Sequence, residues 1–251
     1  MNFYQFSSPA SFYPFAGRLA PWFAGAAAVL AIVGLWIGFG VAPTDFQQGE
    51  AYRIIFIHVP AAWMSMLLYL VMAFWAAIGW AFNARLASIV ARAIAPTGAM
   101  FTFLALWTGA LWGKPTWGTW WVWDARLTSE LILLFLYAGY IALVSAIDDT
   151  RRADRAGALL AIVGSVNVPI IYFSVIWWNT LHQGASVSVT AAPKMASVML
   201  LAMLLMTLAF WAYAFAVIFV RTRAIALERD NHAAWATDAV ARAPVRQGAS
   251  S

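Results

Sequence analysis

Cysteine is absent from the chain. That excludes disulfides, thiolate metal sites, thiol-exchange chemistry and covalent haem attachment through a C-x-x-C-H motif. Charge is scarce as well. Charged residues make up 10% of the 251 residues and hydrophobic residues 64%, against about 25% and about 45–50% in soluble domains. Fifteen basic and ten acidic side chains cannot cover the surface of a water-soluble protein of this size. Alternating strands of about 10 residues, the signature of an outer-membrane barrel, are missing. So is a G-x-x-x-x-G-K-[ST] loop, so any ATP hydrolysis belongs to a partner. Histidine occurs only three times, as His58, His182 and His232.

What the chain has instead is long apolar runs, and about 20 apolar residues cross a bilayer as a helix. Six runs stand out: Leu19–Ala42, Ile54–Phe82, Ala93–Gly113, Leu127–Ile147, Ala156–Trp178 and Met195–Val220. They predict an all-α, polytopic membrane protein with six transmembrane helices. The first run is too long for a signal-peptide core and has no convincing cleavage site, so it is expected to be a retained span. Pro60 offers a place for the second span to start or bend. Asn167 and Pro169 predict a kink in the fifth, with the asparagine packed against a neighbouring helix. The expected organisation is a six-span domain over residues 1–220 and a charged, alanine-rich tail over 221–251.

Basic residues orient the spans, because they concentrate on the cytoplasmic side. With the N-terminus inside, the inner segments hold Arg18, Arg85, Arg92, Arg151, Arg152, Arg155, Arg221, Arg223, Arg229, Arg242 and Arg246. The outer segments hold only Arg53, Lys114, Arg126 and Lys194. Eleven against four predicts both termini in the cytoplasm. The acidic residues divide six inside and four outside, so the whole net charge of +5 lies on the inner side. The basic balance is therefore a topology signal and no evidence for a nucleic-acid partner.

Three segments then reach the outer side: 43–59, 114–126 and 179–194. Two of the three histidines lie on them, His58 before the second span and His182 after the fifth, while His232 is in the inner tail. Two neutral imidazoles at comparable depth on one side are what axial ligation of a haem iron needs. Between them, Trp112, Trp117, Trp120, Trp121 and Trp123 fall within twelve residues. An interfacial aromatic belt explains scattered tryptophans, but not five indoles in one loop. Such a segment makes a broad apolar plate on which a flat macrocycle can lie, and Gly113 and Gly118 allow close backbone approach or tight turns. Asp124 or Thr128 caps the fourth helix. Arg126 either pairs with Glu130 at i, i+4 or, with Arg53, binds carboxylates such as haem propionates.

The segment Trp117-Gly-Thr-Trp-Trp-Val-Trp-Asp-Ala-Arg-Leu-Thr128 resembles the tryptophan-rich WWD motif of haem-handling proteins of cytochrome c maturation. With six spans, the motif between spans three and four, and one histidine on either side, the chain resembles the haem exporter protein C family, CcmC, from Leu19 to about Val220. The resemblance implies a multi-pass protein of the bacterial inner membrane. It would hold non-covalent haem b (iron protoporphyrin IX) at the periplasmic face, the iron between His58 and His182. The platform would be Trp112, Trp117, Gly118, Trp120, Trp121, Trp123 and Asp124. It further implies a non-enzymatic role, delivery of haem to the periplasmic chaperone CcmE, and assembly with the small subunit CcmD and the transporter subunits CcmA and CcmB. The rival is a membrane cytochrome b, but such proteins bury histidine pairs within spans, and neither His58 nor His182 lies mid-span.

Overall fold

The computed structural model describes residues 7–182, 187, 192–193 and 195–241. Lys194, Arg242 and Arg246, three of the residues used to orient the spans, lie outside them. Among the described residues eight α-helices follow one another: α1 (Pro9–Trp36), α2 (Ile55–Phe82), α3 (Arg85–Trp117), α4 (Ala125–Ala146), α5 (Thr150–Gly164), α6 (Asn167–Trp177), α7 (Ser197–Arg229) and α8 (Ala234–Ala241), with a π-helical turn at Ile37–Val41 and a 3-10 turn at Glu50–Ile54. No strand occurs among the described residues, and six helical stretches are long and apolar enough to cross a membrane.

The six apolar runs are all helical, but the helix ends differ from the expected ones. The first helix starts at Pro9 rather than Leu19, with Ser8 accepting a hydrogen bond from the Ser11 amide and Pro9 in the first turn, where its missing N–H costs nothing. The last run does not stop at Val220. Helix α7 continues to Arg229, through residues assigned to the tail, because its polar extension finds partners. Arg229 donates to both carboxylate oxygens of Asp154, at 2.9 and 2.7 Å, and Arg85 pairs with Asp230. The fifth span is two helices, α5 and α6, broken at Ser165–Val166. Asn167 opens α6, is buried, and donates from Nδ2 to Ser129 O at 2.9 Å, the packed asparagine expected of a kink. Pro60 sits inside α2 without ending it.

Helices α2 and α3 form the centre of the bundle, with α1 and α7 paired on one side and α4, α5 and α6 on the other. Small residues bring the helices close, as expected where lipid removes the hydrophobic drive for helix association. Gly98 of α3 faces Tyr137 of α4, and Gly34 of α1 lies against Met206 of α7. Tyr69 and Tyr137 are fully buried and meet edge to face at 4.9 Å. Tyr137 donates to Ser65 O at 2.8 Å, tying α4 to α2. The start of α2, the ends of α3 and α6 and the start of α4 all gather at one end of this bundle.

Candidate functional site

The tryptophan-rich segment is shorter as a loop than its composition suggests. Helix α3 runs through Lys114, Pro115 and Thr116 to Trp117, so residues assigned to the loop form the helix's last turn. Gly118 ends it in the left-handed region, φ 79°, with its N–H bonded to Lys114 O at 3.1 Å. The chain then folds back on α3 at Gly113, where a Cβ would stand 3.1 Å from Thr119 O and 3.2 Å from the Trp117 ring. Asp124 caps α4: its Oδ1 accepts from the Leu127 amide at 2.8 Å. Thr128 is not the cap.

Helix α3 with this turn, the starts of α2 and α4 and the chain after α6 line a cavity of about 40 Å³. It is lined by His58, Trp112, Trp117, Arg126, Glu130 and His182, with Gly109 among its small neighbours. The two histidine rings, 124 positions apart in sequence, lie with centroids 6.3 Å apart and planes at 36°. Two imidazoles on opposite sides of one ion, with metal–nitrogen bonds of about 2.0–2.1 Å, hold their ring centres about 6 to 6.5 Å apart. A larger cavity of about 610 Å³ opens between the α1/α7 pair and α2/α3, but no histidine or charged side chain lines it. Volume therefore does not select the candidate site; donor chemistry does.

His58 is held on several sides. Its Nδ1 lies 3.0 Å from Ala105 O and 3.1 Å from Thr108 Oγ1. A carbonyl oxygen only accepts, so Nδ1 carries the proton and Nε2 keeps its lone pair. Thr108 donates its own hydrogen to Leu104 O at 2.6 Å, which leaves its oxygen to accept from Nδ1 as well. The Trp112 ring meets the imidazole edge to face at 5.6 Å. Gly109 passes so close that a Cβ there would stand 3.1 Å from His58 Cε1. Metal-ligating histidines share this feature, one ring nitrogen fixed by a backbone carbonyl. His182 follows α6 in non-helical chain and lies 6.3 Å from the Trp117 ring.

The structure thus brings together His58, His182, Trp112, Trp117 and Arg126. Trp112 is 6% exposed and belongs to α3; its Nε1 donates to Gln48 Oε1 at 2.7 Å. Arg126 donates to Ile171 O at 2.7 Å, and among the described residues no ion pair joins it to Glu130. Outside the cavity lining stand Arg53, Gly118, Trp120, Trp121, Trp123 and Asp124. Arg53 pairs with Glu50 and donates to Gly38 O at 2.6 Å. Trp121 and Trp123 meet edge to face at 5.3 Å, and Trp120 and Trp123 are 54% and 74% exposed. Sequence reasoning missed Thr108, Gly109 and Gln48, whose types carry no signature of a site. It also treated Glu130 only as a partner for Arg126, although a carboxylate within an apolar run was signal enough.

These elements define a class: a six-span helical membrane protein with a histidine pair enclosed beneath a tryptophan-rich turn at one end. The family model described as Heme exporter protein C matches residues 2–237. The chain belongs to that family, CcmC. It is 56% identical over 183 residues to Heme exporter protein C of Escherichia coli K12, covering 73% of this chain and 75% of that one. The protein of the same name from Haemophilus influenzae is 45% identical over 232 residues, 92% and 94% of the two chains. The one from Paracoccus denitrificans is 38% identical over 242 residues, 93% and 100%.

Proposed function

We propose that this protein binds haem at the periplasmic end of its bundle, in the bacterial inner membrane, and hands it to the chaperone CcmE during cytochrome c maturation. It does so as a non-enzymatic subunit beside CcmD and the transporter subunits CcmA and CcmB. One observation carries the reading: two imidazoles from distant parts of the chain line one cavity with centroids 6.3 Å apart, and the Nδ1 contact of His58 leaves its Nε2 lone pair unused by that bond.

The cargo is non-covalent haem b, with His58 and His182 on opposite sides of the iron. Small-molecule sites usually have about 300–1,000 Å³, and the cavity has about 40 Å³. The ring spacing already suits an iron between the two histidines, so the macrocycle enters edge-on from the side and most of it stays outside the helical core. His58, fixed within α2, forms one wall, and His182, in non-helical chain after α6, forms the other. Arg126 binds one propionate; Arg53 would have to leave Glu50 and Gly38 O to bind the second. Trp117 lines the entry, and the exposed Trp120 and Trp123 extend an apolar surface beside it. Partial exposure suits delivery, since the next carrier must reach the haem edge.

The test is covalent haem on the purified chaperone, measured beside haem in the purified membrane protein. Wild type loads the chaperone. Trp120→Ala and Asp124→Ala are expected to lower loading several-fold more than they lower haem content. Wild-type loading in both would reduce the turn to a membrane anchor.

A further inference from the structure

Glu130 lies on α4 one turn below Arg126 and is 6% exposed. An ionisable group at such a position in a span is costly and marks a functional place. Its Oε1 accepts a hydrogen bond from Ser65 Oγ at 2.7 Å, while its Oε2 is buried with no hydrogen-bond partner. It lines the same cavity as Arg126, His58 and His182. The obvious structural role, an ion pair with Arg126 at i, i+4, is not made among the described residues; the guanidinium donates to Ile171 O. A carboxyl and a guanidinium therefore line one small cavity without closing on each other. A guanidinium has five N–H donors, and Ile171 O takes one.

We propose that Glu130 tunes release of the cargo: its carboxylate offsets the pull of Arg126 on a haem propionate and so keeps the site loose enough to deliver. The inference rests on the reading of this cavity as the haem site. Within a span, opposite and like charges are poorly screened, so Glu130 acts on a propionate without touching it. Arg126 attracts the propionate and Glu130 repels it. Replacing Glu130 by an uncharged residue that still accepts from Ser65 leaves Arg126 uncompensated, and haem is held longer. The sign separates this role from a structural one. A residue that merely tied α4 to α2 would, when altered, loosen the site and speed haem loss.

The experiment uses the full chain in lipid nanodiscs, loaded with ferric haem, and follows haem loss to an excess of a haem-scavenging apoprotein. Glu130→Gln is expected to slow loss about tenfold, Arg126→Gln to speed it, and Glu130→Gln to have a much smaller effect when Arg126 is already Gln, as coupled sites require. Ser65→Ala, which removes the tie but keeps the charge, is expected not to slow loss. A second measurement leaves Glu130 untouched. In Arg126→Gln, haem with esterified propionates is expected to stay longer than free-acid haem, because the carboxylate repels only the latter. Unchanged or faster loss in Glu130→Gln, or an ester lost as fast as the acid in Arg126→Gln, overturns the proposal. Failure of the site itself reads differently: haem then persists with the same spectrum when both histidines are replaced.

Discussion

His58 shows how a residue with an ordinary sequence context becomes a candidate ligand. Its place near the outer end of a span was legible, because so few histidines occur and two of them share one side. The orientation of the ring was not. It depends on Ala105, Thr108 and Gly109, 47 to 51 positions away, and alanine, threonine and glycine inside an apolar helix carry no mark of a site. Arg126 was read as pairing with Glu130 or binding a carboxylate; its hydrogen bond to Ile171 was not legible, because that requires knowing that α6 packs on α4. Gly109 gives a test at this scale. A valine there adds a Cβ 3.1 Å from His58 Cε1 and branches beyond it, at an overpacking cost of about 1–3 kcal/mol. Gly109→Val is expected to fold, since the crowded group is one ring, and to weaken haem binding severalfold in a titration followed by absorbance. Wild-type affinity would mean that the His58 ring is not held in place by α3.

Secondary elements follow a simpler rule. Apolar runs located all six spans, because a bilayer demands backbone groups satisfied within each segment. They did not locate the helix ends, because outside the hydrocarbon a polar helix continues wherever its side chains find partners. Arg229 with Asp154 carries α7 past Val220, and Lys114 to Trp117 continue α3 into the tryptophan-rich segment. The break between α5 and α6 was foreshadowed by Asn167 and Pro169, though its position at Ser165–Val166 was not. Orientation of the spans rests on the distribution of basic residues, eleven against four. A reporter active only in the periplasm and fused after Ala241 is expected to be inactive, and the same reporter inserted at Phe46, 91% exposed in the turn before α2, to be active. The opposite pattern would move the histidine cavity to the cytoplasmic side.

The whole molecule separates its chemistry by end. One end holds the paired arginines and acids of α5, α7 and α3. The other gathers His58, Trp112, Trp117, Arg126, Glu130 and His182 from four elements that are distant in sequence. His232, exposed beyond α7, belongs to the first end and serves as an internal control. The central claim is that one haem iron sits between His58 and His182. The most direct measurement is the visible spectrum, reduced and oxidised, of the purified protein reconstituted with haem. Wild type and His232→Ala are expected to show the same six-coordinate, low-spin iron. Each of His58→Ala and His182→Ala should weaken or alter that signal, and the double variant should lack it. An unchanged six-coordinate spectrum in the double variant would contradict the assignment of both ligands.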